Sequence, residues 1–505
     1  MMPTKPTTRR ILGMLVLCSG LLAAGPALAV QTIFRVTLDD LVQESPYSGR
    51  IYVALSRQQG REPRLRMSSW SNPPPLFALD VKNVAPGDSV IVGSGALFHP
   101  TALDELEAGT WYAQGVARRS LDSPNPGRGP GDLYSAVVSF EVGGRGERAV
   151  ELRLTRVVAA QTFQETERVK LFELQSPLLS AFYGRPFTLR AGVVLPDGWG
   201  DDPGRRYPII YRIPGFGGTH FGASRFGARI ESMPENDPAR RCIQVLLDPS
   251  CYRGHSVFAD SANNGPWGTV LVREFIPALE EKFRGPLDAR FRFTTGGSSG
   301  GWASLWLQIS YPDDFGSCYS HVPDPVDFRD FQRIDLYRPR EDMFVDPEGE
   351  RRPLARRGGE VMLWYDAFVA RETVLGPGGQ IRSFEAVFSP RGADGEPLEV
   401  FDRTTGDVDR MVAKAWEPYD IRLVIERNWK ELAPKVQGKL HVYAGEVDTF
   451  YLEGAARLLG EALESLGSDA VCEIIPGMGH ATYPPGVEEM YRTLLERWDR
   501  AQVKD

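Results

Sequence analysis

Apolar and polar positions change their period part-way along the chain. Up to about residue 158, short apolar or alternating runs at 33–38, 50–55, 76–81, 89–92, 110–116, 136–142 and 149–157 are separated by turn residues. Seven short strands with no helical period predict a β-sandwich over residues 30–160. The composition then turns polar through Gln161, Gln164, Glu165, Glu167 and Arg168, which marks a domain boundary. Beyond it, strand patterns at 187–194, 207–213, 243–248, 315–321, 439–443 and 470–475 alternate with helical patterns near 270–283, 303–309, 452–466 and 487–500. That alternation predicts an α/β domain over 170–505, a mostly parallel sheet with helices on both faces. Leu271, Phe275, Leu279 and Phe283 share one helix face, and Pro277 among them predicts a kink. Residues 322–438 form a long polar insertion between two late strands, where a lid is expected.

The stretch 291–310 carries the chemistry. Phe291, Phe293 and Thr295 alternate as in a strand, Gly297-Ser298-Ser299-Gly300-Gly301 makes a tight turn, and Ala303 to Ile309 continues as a helix. The turn fits the G-x-S-x-G nucleophile elbow with Ser299 at its apex, held in strained backbone and projecting its hydroxyl into solvent. The following helix offers the Gly300 N–H and its positive end to a developing oxyanion. A serine needs a base, and the chain has six histidines. His480, in Pro476-Gly477-Met478-Gly479-His480 directly after a strand, holds the position that the base takes when the chain order is nucleophile, acid, base. Asp448, in Gly445-Glu446-Val447-Asp448 after the preceding strand, is the acid expected to orient it. Glu446 is the lesser candidate, and Asp324 and Asp327 are further ones. The glycine-rich loop Pro214-Gly215-Phe216-Gly217-Gly218 after an earlier strand points to the Phe216 N–H as second oxyanion donor.

Charge and leader features narrow the setting. The chain of 505 residues has a formal net charge of −8, which argues against nucleic acid and anionic membrane surfaces as partners. Residues 1–29 combine Lys5, Arg9 and Arg10 with an apolar run from 11 to 24 and then Ala27-Leu28-Ala29, the plan of a signal peptide, so export to the periplasm or beyond is expected. No later run is apolar and long enough to span a bilayer, so no stable membrane insertion is expected. Cys242 and Cys251 flank an apparent strand and are too far apart along it to pair with each other.

Tyr207-Pro208-Ile209-Ile210-Tyr211, the 214–218 loop, Gly297 to Gly301 followed by Tyr311-Pro312-Asp313, Gly445 to Asp448 and Pro476 to His480 together resemble the serine-esterase family of α/β-hydrolases. Feruloyl esterases, enterochelin-type esterases, S-formylglutathione hydrolase and mycolyltransferases belong to that family. The likeness covers roughly residues 170–500 and implies an α/β-hydrolase fold with Ser299, Asp448 and His480 as triad, and no cofactor or metal. Pro214 stands where many members have a histidine. His321, Trp302 and Asp324 are then expected to line the pocket of a small-molecule or carbohydrate-linked ester. The competing readings are a prolyl-oligopeptidase-like peptidase, against which the N-terminal region is too short for a propeller, and a non-catalytic binding protein on a hydrolase scaffold.

Overall fold

The computed structural model describes residues 32–503 except 71 and 144–147, so the expected leader peptide lies outside the described residues. The N-terminal region forms strands β1 (Thr32–Leu38), β2 (Tyr47–Ser56), β3 (Leu76–Val84), β4 (Ser89–Val92), β5 (Leu97–His99), β6 (Gly109–Ala117), β7 (Leu133–Ser135), β8 (Val138–Val142) and β9 (Arg148–Val157). All seven expected strands are present; β5 and β7, three residues each, are too short to show a period. The strands join as one sheet in the order β4-β1-β9-β7-β6-β2-β3-β5, with β8 also on β6, rather than as two separate sheets. The sheet folds over on itself. Phe34 of β1 meets Phe77 of β3 at 6.3 Å between ring centroids, although four strands lie between them in the path, and Phe140 of β8 at 5.4 Å. Ile51, Val53, Leu152 and Leu154 fill the enclosed layer, and each such side chain contributes about 1.5–3 kcal/mol when fully buried.

The second sheet runs β10 (Val169–Gln175), β11 (Thr188–Val194), β13 (Ile243–Leu247), β12 (Ile209–Ile213), β14 (Arg292–Ser298), β15 (Ser317–Pro323), β16 (Leu440–Gly445) and β17 (Val471–Ile475). β10 and β11 are antiparallel to their neighbours and every later pairing is parallel. This is the α/β-hydrolase fold, preceded by a β-rich region. β10 follows directly on the polar stretch that marks the boundary and is an additional strand to those expected; its polar Lys170, Glu173 and Gln175 suit a sheet edge.

Helices α1 (Gly222–Glu231), α2 (Ile276–Phe283), α3 (Ser299–Ser310), α4 (Tyr365–Leu375), α5 (Gln380–Phe388), α6 (Ile421–Val436), α7 (Glu453–Ser465) and α8 (Pro484–Gln502) cover the sheet and build the insertion. The expected kink at Pro277 takes the form of a π-helical stretch, Leu271–Phe275, immediately before α2. The proline lacks an N–H, and the altered register ahead of it absorbs the missing bond. In the insertion, Tyr365, Phe368 and Trp416 are buried among Phe331, Phe384 and Phe388 as its core, and Trp364 and Tyr419 are half-buried.

The two sheets meet through α4. The Tyr52 hydroxyl donates to the Leu375 carbonyl at 2.6 Å, and Arg50 donates to the carbonyls of Thr373 and Val374 at 2.7 and 3.1 Å. These bonds satisfy the last carbonyls of a helix, which have no partners of their own. Val374 and Leu375 also join Ala54, Met67, Leu76 and Val116 in a small apolar cluster. Cys242, Cys251, Cys318 and Cys472 are free thiols, the first three fully buried, and burial pushes each up to about 12. Among the described residues no helix is long and apolar enough to cross a membrane.

Candidate active site

Strand β14 ends and helix α3 begins within one residue. Ser298, the last residue of the strand, has φ 58° and ψ −127°, a conformation that side-chain-bearing residues seldom adopt. Its flanking glycines explain how the turn is tolerated. A Cβ on Gly296 would lie 2.3 Å from the Gly300 carbonyl oxygen, and one on Gly300 would lie 2.0 Å from the Ile213 carbonyl oxygen. Gly297, by contrast, would meet nothing closer than 3.7 Å. A Cβ on Gly301 would be close as well, 2.6 Å from the His321 carbonyl oxygen, but Gly297 is open, so the pair tight at both ends is Gly296 and Gly300, which brackets Ser298.

This corrects the expectation for Ser299. Ser299 is the first residue of α3, is 1% exposed, and donates its hydroxyl to Asp324 Oδ2 at 2.5 Å instead of projecting it into solvent. Ser298 is the residue at the strained apex. The pattern G-x-S-x-G reads equally well as Gly296-x-Ser298-x-Gly300, and doubled glycines and serines hide the choice. Gly300 serves the close approach of α3 to β12. The first free N–H after Ser298 belongs to Ser299, which opens the helix and has no intrahelical acceptor there.

His480 and Asp448 do come together. Asp448, fully buried, accepts from His480 Nδ1 at 2.8 Å through Oδ2 and from the Phe450 N–H at 2.7 Å through Oδ1. The loop bearing His480 is pinned to the Asp448 loop, because Val447 N–H donates to the Met478 carbonyl at 3.0 Å and Gly477 N–H to Glu446 Oε2 at 2.9 Å. Glu446 thus shapes the loop and leaves the imidazole to Asp448. Asp327 is occupied elsewhere, accepting from Arg422 of α6 at 3.1 Å and from Arg329 at 2.6 Å.

Asp324, expected in the pocket wall, sits beneath both serines. Its Oδ1 accepts from the Ser298 hydroxyl at 3.1 Å while Oδ2 holds Ser299. Burial pushes its carboxyl up to about 6, partly opposed by the hydrogen bond from Ser299 and the field of His480. His321 is 1% exposed, stacks on Tyr443 and accepts the Tyr483 N–H at 3.3 Å, and burial lowers it to about 4. It therefore braces the chain just after His480 and shares a cleft with Gly297 and Thr482. Trp302 is not a pocket residue: it is 1% exposed and wedged between Trp306 and Phe388.

The loop after β12 approaches the apex. A Cβ on Gly215 would lie 3.4 Å from Ser298 Cβ, so the loop that carries Phe216 borders the serine. Its position is fixed by His255, a residue with no motif in the sequence. His255 Nε2 donates to the Pro214 carbonyl at 2.9 Å while Nδ1 accepts the Val257 N–H at 3.0 Å. The bond accepted at Nδ1 requires the neutral ring, and burial holds this histidine down at about 4.

Residues 185–382 match the family described as "Putative esterase". The resemblance to that family is borne out. The match supports a hydrolase of the esterase kind and spans the serine turn and the loop after β12, while Asp448 and His480 lie beyond it. No curated protein matches the chain. Among solved structures, a ferulic acid esterase is 13% identical, covering 65% of this chain and 96% of its own, with a TM-score of 0.39. An S-formylglutathione hydrolase from Agrobacterium tumefaciens is 16% identical over 65% of this chain and 94% of its own, with a TM-score of 0.37. A fluorophosphonate-binding serine hydrolase of Staphylococcus aureus is 12% identical over 65% and 96%, with a TM-score of 0.38. The fold of the esterase-like domain rests on its own strand order.

Proposed function

We propose that the protein is an exported serine hydrolase that cleaves carboxylic esters of small molecules or of carbohydrates, with Ser298 as nucleophile, His480 as base and Asp448 as its orienting acid. The observation that carries this reading is the strained backbone of Ser298 at a strand-to-helix junction, with a His–Asp pair on the neighbouring loops. Asp448 holds the proton of His480 on Nδ1, which leaves Nε2 free to accept one. In the resting enzyme the Ser298 hydroxyl points to Asp324; on substrate entry it turns to His480 Nε2, a tightening that apo sites commonly need.

Ser298 Oγ then bonds to the ester carbonyl carbon as its proton passes to His480. The carbonyl oxygen becomes an anion and is received by the N–H groups of Ser299 and Phe216. Collapse of this adduct breaks the bond to the leaving alkoxide, which takes the proton from His480 and departs as alcohol. Water, deprotonated by the same histidine, repeats the attack on the acyl-serine and releases the acid. No step calls for a cofactor. The test is hydrolysis of short-chain aryl esters by wild type, Ser298→Ala and His480→Ala: falls of about 10³-fold or more in kcat with the fold intact are expected for both variants, and wild-type rates in either refute the assignment.

A further inference from the structure

The β-rich region and the insertion enclose a cleft lined by Trp70 and Pro126, by Phe368, Arg371 and Glu372 of α4, and by Phe216 of the loop that borders Ser298. It connects to the catalytic histidine through aromatic contacts. Trp70 lies 4.8 Å from Phe368 and 5.5 Å from Phe450, and Phe450 stands edge-on to His480 at 4.8 Å.

Arg371 is the unusual lining residue. It is 5% exposed and donates to the Met67 carbonyl at 3.1 Å, and among the described residues its Nε–H has no hydrogen-bond partner and no carboxylate lies within ion-pair distance of it. The adjacent Glu372 is occupied with the N–H groups of Ile381 and Arg382, both at 3.3 Å. Another titratable neighbour is His99 of β5, which burial and then the charge of Arg371 lower to about 4. Desolvation lowers Arg371 only to about 10, so it stays a cation at neutral pH. A buried guanidinium without a counter-ion is costly, and a planar oxyanion is the group its fork of donors fits.

We propose that this cleft is a subsite for a carboxylate carried by the substrate ester, with Arg371 as the binding residue and Trp70 and Phe216 flanking the apolar segment between carboxylate and ester. The inference rests on the esterase reading for its link to turnover, but not for binding. Arg371 is reached from both the β-rich region and the insertion, so this subsite also gives the N-terminal region a part in substrate choice.

Two ester pairs test it: 4-nitrophenyl glutarate against 4-nitrophenyl pentanoate, with the anion on the acyl side, and 4-acetoxybenzoate against phenyl acetate, with the anion on the leaving group. In at least one pair the anionic ester is preferred by wild type and loses about 30-fold or more in kcat/KM in Arg371→Met, while its neutral partner changes less than about threefold. Arg371→Lys recovers part of the loss. Equal falls for anionic and neutral esters, or no preference in either pair, overturn the proposal. Calorimetric titration of Ser298→Ala with glutarate and with 4-hydroxybenzoate reads binding without turnover. Binding of either that is lost in the Ser298→Ala, Arg371→Met double variant supports the subsite even where no ester is cleaved, and absence of binding of both overturns it. Melting curves of each variant establish that the fold is retained.

Discussion

Two adjacent serines have different surroundings, and this separates their roles. Ser298 is half-buried at a left-handed φ, whereas Ser299 is closed off in the first turn of α3. Ser299→Ala should keep activity within about tenfold of wild type, because its backbone N–H, the proposed oxyanion donor, is retained. Asp324 makes a pH-dependent prediction. Its folded pKa, about 6, lies above the ordinary carboxylate value of 3.8, so the folded protein holds this proton more tightly than the unfolded chain. Its contribution is therefore fully favourable below the unfolded value and is lost as the pH rises through about 6, at a cost of up to roughly 3 kcal/mol. Asp324→Asn should accordingly gain stability relative to wild type between pH 4 and pH 7, measured as the difference in denaturation midpoint at the two values; a difference that does not move with pH contradicts the assignment. None of this was readable from the chain, since Gly-Gly-Ser-Ser-Gly-Gly admits two registers and only the backbone angles and the space around each glycine distinguish them. His480 and Asp448 were readable, because each follows directly on a strand and the loops at strand ends are where such side chains converge.

At the scale of elements, the site depends on how closely a helix and a loop approach the end of β12. Gly300→Ala places a methyl 2.0 Å from the Ile213 carbonyl oxygen, against backbone that has little freedom to retreat. We expect loss of activity together with a destabilisation of about 2 kcal/mol or more, read from denaturant unfolding. His255 acts on the other side by holding Pro214. His255→Ala should lower kcat by about 10- to 100-fold, because it loosens the loop that carries Phe216, the proposed second oxyanion donor; an unchanged kcat contradicts that role. The alternating strands and amphipathic helices were legible from period alone. β10 does not show in the sequence pattern, because its polar Lys170, Glu173 and Gln175, natural at a sheet edge, hide its apolar positions. Trp302 was misjudged because a tryptophan near a catalytic turn looks the same in sequence whether it faces the cleft or the core.

At the scale of the molecule, the β-rich region is coupled to the hydrolase fold through the end of α4. Tyr52→Phe removes a buried hydrogen bond and leaves the Leu375 carbonyl without it, which should cost about 1–3 kcal/mol in the unfolding free energy. The sequence disclosed that an N-terminal β-rich region exists but not what it touches, because contacts between distant segments have no local period. Trp70 illustrates the point: in sequence it is an isolated aromatic in a loop, and in space it packs on Phe450, which stands against His480. The same long-range assembly gathers the serine turn, the Asp448 loop and the His480 loop at the carboxyl ends of β14, β16 and β17.

The most direct test of that assembly is labelling of the folded protein with a fluorophosphonate probe, followed by peptide mapping that resolves Ser298 from Ser299. Modification is expected at Ser298 and should disappear in His480→Ala; modification at Ser299, or none in wild type, contradicts Ser298 as the nucleophile.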